Sequence, residues 1–215
     1  MTDGDRKLWR EWKEATFGSD FMIWHDGLGT DGVTRLRGDA RDEAIGMLLL
    51  GLRLGDSVAA QALEAMGVRD AVAEMRVQLD RATGVPLVRI AHSIHRLTPD
   101  LSLVPRIVEV LESAGSWSNR MDAAMVLRDF DSPESVAALL RAVREDHDYL
   151  VRYHASSSLL ALAVIEPADV AEHPEIFKLI CSGSERDGEP RDAAEAADHA
   201  RAAELLAQHF EGRPL

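Results

Sequence analysis

A chain of 215 residues is long enough to bury a core without staples, and its one cysteine, Cys181, excludes an internal disulfide and a multi-cysteine zinc site. Hydrophobic residues make up 46% and aromatic residues only 5%, so the core has to be built from Ala, Leu, Val, Ile and Met, which suits closely packed helices. The net charge of −13 is placed unevenly: residues 1–107 carry 14 basic and 16 acidic side chains, residues 108–215 carry 10 and 21. That balance disfavours a nucleic-acid partner and is compatible with a basic protein partner.

The N-terminus, Met1-Thr2-Asp3-Gly4-Asp5, is acidic and lacks the apolar run of a signal peptide. No stretch approaches about 18 uninterrupted apolar residues, so no membrane partner is expected and the expected location is the cytoplasm. Residues 5–17 read as an amphipathic helix with Leu8, Trp9, Trp12 and Ala15 on one side, the two indoles filling the core.

Residues 18–38 form the one long irregular stretch, expected to dock through Phe21, Ile23 and Trp24. Gly27, Gly29 and Gly32 spell a literal G-x-G-x-x-G. The dinucleotide fingerprint needs a helix opening at the last glycine, whereas the run from Val33 to Gly38 is too short, and Asp26 and Asp31 would repel a pyrophosphate. Long loops often carry function, so Trp24, His25, Asp26 and Asp31 are candidate partner contacts.

From Asp39 onward the apolar periodicity predicts helices near 39–54, 56–66, 68–82, 85–97, 101–114, 118–130, 133–145, 149–165, 167–181 and 190–210. In 85–97 the register that buries Ile90, Ile94 and Leu97 is preferred. The short helices at 56–66 and 68–82 fit no regular repeat. Residues 182–190 have the composition of a flexible linker, followed by an Ala-rich helix packing through Ala193, Ala196, Ala197, Ala200, Ala203 and Leu206.

The stretch from Ser118 to Val143 reads as a helix, a tight stop and another helix. At the stop, Ser132 can cap the second helix while Pro133 sits at its first position, where no backbone N–H is needed. The unit recurs. Val104-Pro105-Arg106-Ile107-Val108 lies 32 positions before Val136-Ala137-Ala138-Leu139-Leu140, and Arg152-Tyr153-His154-Ala155 lies 32 after Arg120-Met121-Asp122-Ala123. A helical-hairpin period in the low thirties marks an α-solenoid.

The pattern carried by Arg120, Ala123, Ala124, Leu127, Asp131, Pro133, Val136, Leu139 and Leu140 resembles HEAT repeats of the short bacterial kind. Val104, Pro105, Ile107 and Val108 match its first-helix half, Arg152, Ala155, Ser156 and Leu159 its second-helix half, and Arg41, Ala44, Ile45 and Leu48 fit more loosely. The resemblance implies an all-α fold, a right-handed α–α superhelix (HEAT-like solenoid) of about ten to eleven helices, with 1–215 as a single domain. In it, 5–17 is the capping helix, 39–181 the repeats and 190–210 the last helix. It also implies that the repeated Arg120 and Arg152 link neighbouring repeats through acidic residues such as Asp100 or Asp131.

The same resemblance places second helices on a concave, partner-facing side. That makes Asn119, Asp122, Arg152, Tyr153 and His154 candidate contacts, with Trp117 and Tyr149 at nearby turns. A Trp-x-Asp-Gly-x-Gly-x-Asp stretch (Trp24 to Asp31) ahead of helical repeats resembles stand-alone bacterial HEAT-like proteins that serve as immunity partners of toxins. Asp192, Glu195 and Asp198 would then steer a basic toxin. The oligomeric state is left open.

Chemistry finds little footing. His92 and His95, three apart on one helix, lack an evident third metal ligand, and Ser156, Ser157 and Ser158 sit in an apolar helix near His154 as small packing surfaces. Cys181, beside Leu179 and Ile180, reads as a buried structural thiol. No catalytic residue, metal or cofactor is expected. HEAT-like DNA glycosylases and bilin lyases supply the alternative, an enzyme acting on a nucleobase or a bilin. Only Lys7, Lys13 and Lys178 join 21 dispersed arginines, so the basic track of a glycosylase is missing.

Overall fold

The computed structural model describes residues 2–183 and 192–212, so most of the expected linker lies outside the described residues. Among the described residues there are thirteen α-helices and no β-strand. The chain packs as two compact units, Met1–Asp100 and Leu101–Leu215, where the sequence had read as one array.

In the first unit, α1 (Asp3–Phe17), α2 (Asp20–Asp26) and α3 (Asp31–Thr34) precede α4 (Gly38–Arg53), α5 (Ser57–Ala65), α6 (Val72–Leu79) and α7 (Gly84–Leu97). α4 pairs with α5 and α6 with α7, while α4 also packs on α6 and α5 on α7. Two hairpins therefore stack like on like. The stretch 56–82, which fits no repeat by sequence, forms part of both; its helices are merely short, and a 3₁₀ turn at Arg69–Ala71 takes up the slack. α7 buries Ile90, Ile94 and Leu97, the preferred register.

The N-terminal segment differs from expectation in two places. α1 buries Trp9 and stacks Trp12 on it at 5.7 Å, with Phe17 edge-on to Trp12 at 5.8 Å, whereas Leu8 and Ala15 lie exposed. Its inward face is thus narrower than the periodicity implied. Residues 18–38 are not an irregular loop: Ser19 caps α2, its hydroxyl accepting the Met22 N–H, and α3 is a single turn. Ile23 docks inward, but Phe21 is 66% exposed and stacks on His25 instead.

In the second unit, α8 (Val104–Ser113) pairs with α9 (Trp117–Val126) and α10 (Pro133–Glu145) with α11 (Tyr149–Leu162). α8 also lies on α10, and α9 on α11. The hinge works as the sequence chemistry says: Ser132 accepts the Ser135 N–H at 3.1 Å, and Pro133 opens α10. The predicted helix 118–130 tightens into a 3₁₀ turn at Leu127–Asp129. The predicted 167–181 splits into a 3₁₀ turn at Val170–Glu172 and α12 (Pro174–Ile180).

After α11 the alternation breaks. α13 (Ala193–Ala207), and not α12, packs along α10, with α12 against α13. α13 turns Glu195, His199, Ala202, Ala203 and Leu206 inward, leaving Ala193, Ala196 and Ala197 exposed. The inward polar pair is held by local bonds. Glu195 closes a capping box with Asp192, and the His199 ring Nε2 lies 3.0 Å from the Ser182 carbonyl oxygen.

Candidate interaction face on the second helices

α9 and α11 begin at equivalent positions 32 residues apart, so Trp117 matches Tyr149, Arg120 matches Arg152 and Asp122 matches His154. The matched arginines do one job. Arg120 Nη1 donates to the Ala114 carbonyl six residues back (2.9 Å), while its Nε and Nη2 clamp both Asp146 oxygens (2.7 and 2.9 Å). Arg152 Nη1 likewise donates six residues back, to Asp146 (2.9 Å), and to His147 (3.0 Å), and its Nε and Nη2 both reach the Ile180 carbonyl (3.1 and 3.0 Å). Each guanidinium ties the turn before its helix to a later segment.

The structural role expected for these arginines holds, but the partners differ: Arg120 pairs with Asp146 in place of Asp100 or Asp131, and Arg152 binds main-chain carbonyls. Arg152 itself is corrected as a partner contact. At 2% exposure it has no surface to offer.

Outside the core these two helices present Trp117, 43% exposed, together with exposed Leu150 and half-buried Asn119, Asp122, Tyr149, Tyr153 and His154. Tyr153 lies at the middle of an aromatic group, with ring centroids 5.9 Å from Tyr149, 5.2 Å from His154 and 6.3 Å from Phe177. Its hydroxyl donates to Asp169 Oδ1, which also accepts the Ala171 N–H. Sequence reasoning missed Asp169 and Phe177, since 167–181 reads as one helix, whereas the chain turns at Val170–Glu172 before α12. Cys181 is half-buried rather than buried, its sulfur lying by Tyr149.

These contacts tune the site's protons. The bond to Asp169, reinforced by burial, pushes Tyr153 up to about 12, and burial beside Cys181 pushes Tyr149 up to about 12. The Tyr153 hydroxyl and Ala171 N–H hold Asp169 below the usual carboxylate range. Burial, then the Arg128 charge, lowers His154, so its ring stays neutral to more acid pH. Tyr149 and Tyr153 are the chain's two tyrosines, so alkaline absorbance titration reads only them. Phenolate absorbance is expected to be nearly absent at pH 10.5 and to rise near 12. A raised folded-state value means that the tyrosines' stabilisation is complete below about pH 10 and is lost as pH climbs through 12. Half-ionisation near pH 10 in folded protein would contradict the packing.

The remaining candidates lie elsewhere. Trp24, His25 and Asp26 ride on α2 in the first unit, with His25 Nδ1 2.7 Å from Asp26 Oδ1; the Trp24 side chain lies outside the described residues. Asp31 on α3 is exposed and pairs with Arg35 at 2.9 Å. At the start of α13, Asp192 is the exposed helix cap and Asp198 is half-buried, but Glu195 is corrected as a steering charge. It is 6% exposed, with Oε2 turned back to the Asp192 N–H.

Reactive groups are occupied structurally. Ser156 and Ser158 donate to the Arg152 and Ala124 carbonyls, and Ser157 accepts the Val170 N–H. His95 Nδ1 accepts the Asp100 N–H at 2.9 Å. No group of three or more His, Cys, Asp or Glu suited to a metal occurs among the described residues. A cleft of about 540 Å³ beside α8 and α10 has Leu111, Ala138 and Ala142 in its lining and is crossed by the Arg141–Glu112 ion pair, so its opposite charges meet each other.

Like-on-like stacking of helical hairpins, tied by an arginine at a 32-residue interval, defines an α-solenoid. Residues 104–172, which hold the α8–α9 and α10–α11 hairpins, match the family model of HEAT repeats. No curated protein and no solved structure matches the chain. The architecture is that of a helical scaffold for protein interactions. No helix among the described residues is long and apolar enough to cross a membrane.

Proposed function

We propose that the protein is a non-enzymatic, cytoplasmic scaffold that binds another protein through the open side of α9 and α11. One observation carries this reading. With the repeated arginines tied into the turns, these helices still leave Trp117 and Leu150 exposed and Tyr153 half-buried beside them, and aromatic side chains make strong interface anchors. The finer reading is an immunity protein that neutralises a basic toxin, supported by the excess of acidic residues after position 107.

The test is co-purification with the product of the adjacent gene. A 1:1 complex is expected. Trp117→Ala with Tyr153→Ala should weaken it at least about tenfold without unfolding the protein, and association should slow as salt rises. Absence of a complex, together with no rescue of cells expressing that product, would sink the immunity version. A complex indifferent to both substitutions would move the interface off this face.

A further inference from the structure

We propose that Tyr149, Tyr153 and Phe177, together with the carboxylates of Asp169 and Glu172, form a seat for a lysine or arginine side chain of the partner. This rests on the scaffold reading above and gives the partner's contact its chemistry. Three aromatic rings meet at Tyr153, two of them edge-on to it, and all three are only part-buried. A ring face attracts a cation within about 6 Å of its centroid. Because the Tyr153 hydroxyl donates to a carboxylate, its ring carries more electron density than that of a solvated phenol, which strengthens the attraction.

The carboxylates supply the rest. Asp169 uses Oδ1 for both Tyr153 and the Ala171 N–H, and its Oδ2 accepts no hydrogen bond from the described residues. Glu172 lies three residues on, at the end of the 3₁₀ turn that Asp169 caps. It is exposed, is in no ion pair among the described residues, and its field reaches Tyr153. The cations whose charges bear on these groups are committed elsewhere: Arg128 donates its Nε to the Met125 carbonyl, the His173 ring is bonded to the Pro167 carbonyl, and Arg152, whose charge reaches Tyr149, is buried on main-chain carbonyls. The surrounding residues 108–215, with 21 acidic against 10 basic side chains, add long-range attraction for a basic segment. The acidic feature foreseen on α13 thus has its counterpart at Asp169 and Glu172, beside rings able to fix a cation in place.

The two tyrosines make the test direct. Protein labelled with ¹³C in its tyrosine rings is titrated with a short Gly-Lys repeat peptide and with the same peptide acetylated at every lysine. The lysine peptide is expected to shift both ring signals, and the acetylated one neither. Asp169→Asn with Glu172→Gln, which keeps a capping side chain at 169, should weaken binding at least about fivefold. Glu109→Gln with Glu134→Gln removes the same charge from exposed sites on α8 and α10 and should leave binding intact. Equal shifts with the acetylated peptide, or equal losses from the two double variants, would overturn the seat. If the adjacent-gene product binds with affinity unchanged by Asp169→Asn and Glu172→Gln, the seat is wrong and the scaffold stands. If the lysine peptide shifts the rings as expected but no protein complex forms, the scaffold reading falls and the seat remains.

Discussion

Replacing Arg152 by alanine is expected to lower the stability of the second unit by about 3–5 kcal/mol, a change large for any single substitution. Arg152 is 2% exposed, and among the described residues its guanidinium makes four hydrogen bonds to three main-chain carbonyls, those of Asp146, His147 and Ile180. Ile180 ends α12, so its carbonyl is among those a helix leaves unsatisfied, and a cation there also meets the negative end of the dipole. Alanine removes the donors and keeps the acceptors. Each carbonyl left buried without a partner costs about 1–3 kcal/mol, and the vacated volume adds to that. Lysine keeps the charge but cannot fork to three acceptors, and should recover less than half of the loss. Urea or thermal unfolding measures both, with a fall of roughly 10 °C or more expected for alanine. If Arg152 were instead a contact residue, alanine would leave the unfolding midpoint alone and weaken only partner binding.

That arginine shows where sequence suffices and where it stops. The 32-residue offset, the Ser132–Pro133 hinge and the apolar faces of α8 and α10 are local chemistry, so helices, hinge and repeat are legible from spacing alone. The partner of a long side chain is not local. Arg120 reaches 26 residues ahead to Asp146, past the nearer Asp131, because the α10–α11 turn is what folds against the start of α9. α13 misleads for another reason. Alanine fits a core or a surface equally well, so a stripe of alanines does not orient a helix, and here a capping glutamate and a bonded histidine take the inner face. α2 and α3, of seven and four residues, are too short to show a period at all. Of the interaction face, Trp117, Tyr149, Tyr153 and His154 are readable from their place at the start of second helices. Asp169 and Phe177 enter only through packing after α11, where the repeat breaks.

Gly51→Ala is expected to destabilise the first unit by about 2–4 kcal/mol, against the usual sign, since alanine in a helix interior is ordinarily better than glycine by about 1 kcal/mol. The position lies in the last turn of α4, and a Cβ there would fall 2.5 Å from Trp9 Cε2 and Cζ2 and 2.6 Å from Cη2, inside any tolerable contact. The neighbour is a rigid ring that cannot swing aside cheaply. Trp9 Nε1 donates to Asp56 Oδ2 at 2.9 Å, the same oxygen accepts from Lys13 Nζ at 3.0 Å, and Asp56 Oδ1 caps α5 through the Val58 N–H. Moving the indole therefore disturbs the attachment of α1 and the start of α5 together. Loss of protection of the α1 amides in hydrogen exchange should accompany the fall in melting temperature. A double-mutant cycle separates the clash from any other effect. In a Trp9→Ala background the slot is empty, so Gly51→Ala should become neutral or stabilising, giving a coupling energy of about 2 kcal/mol or more. Additive effects across the cycle would mean that Gly51 is not the seat of Trp9, and that α1 is held to α4 by other contacts.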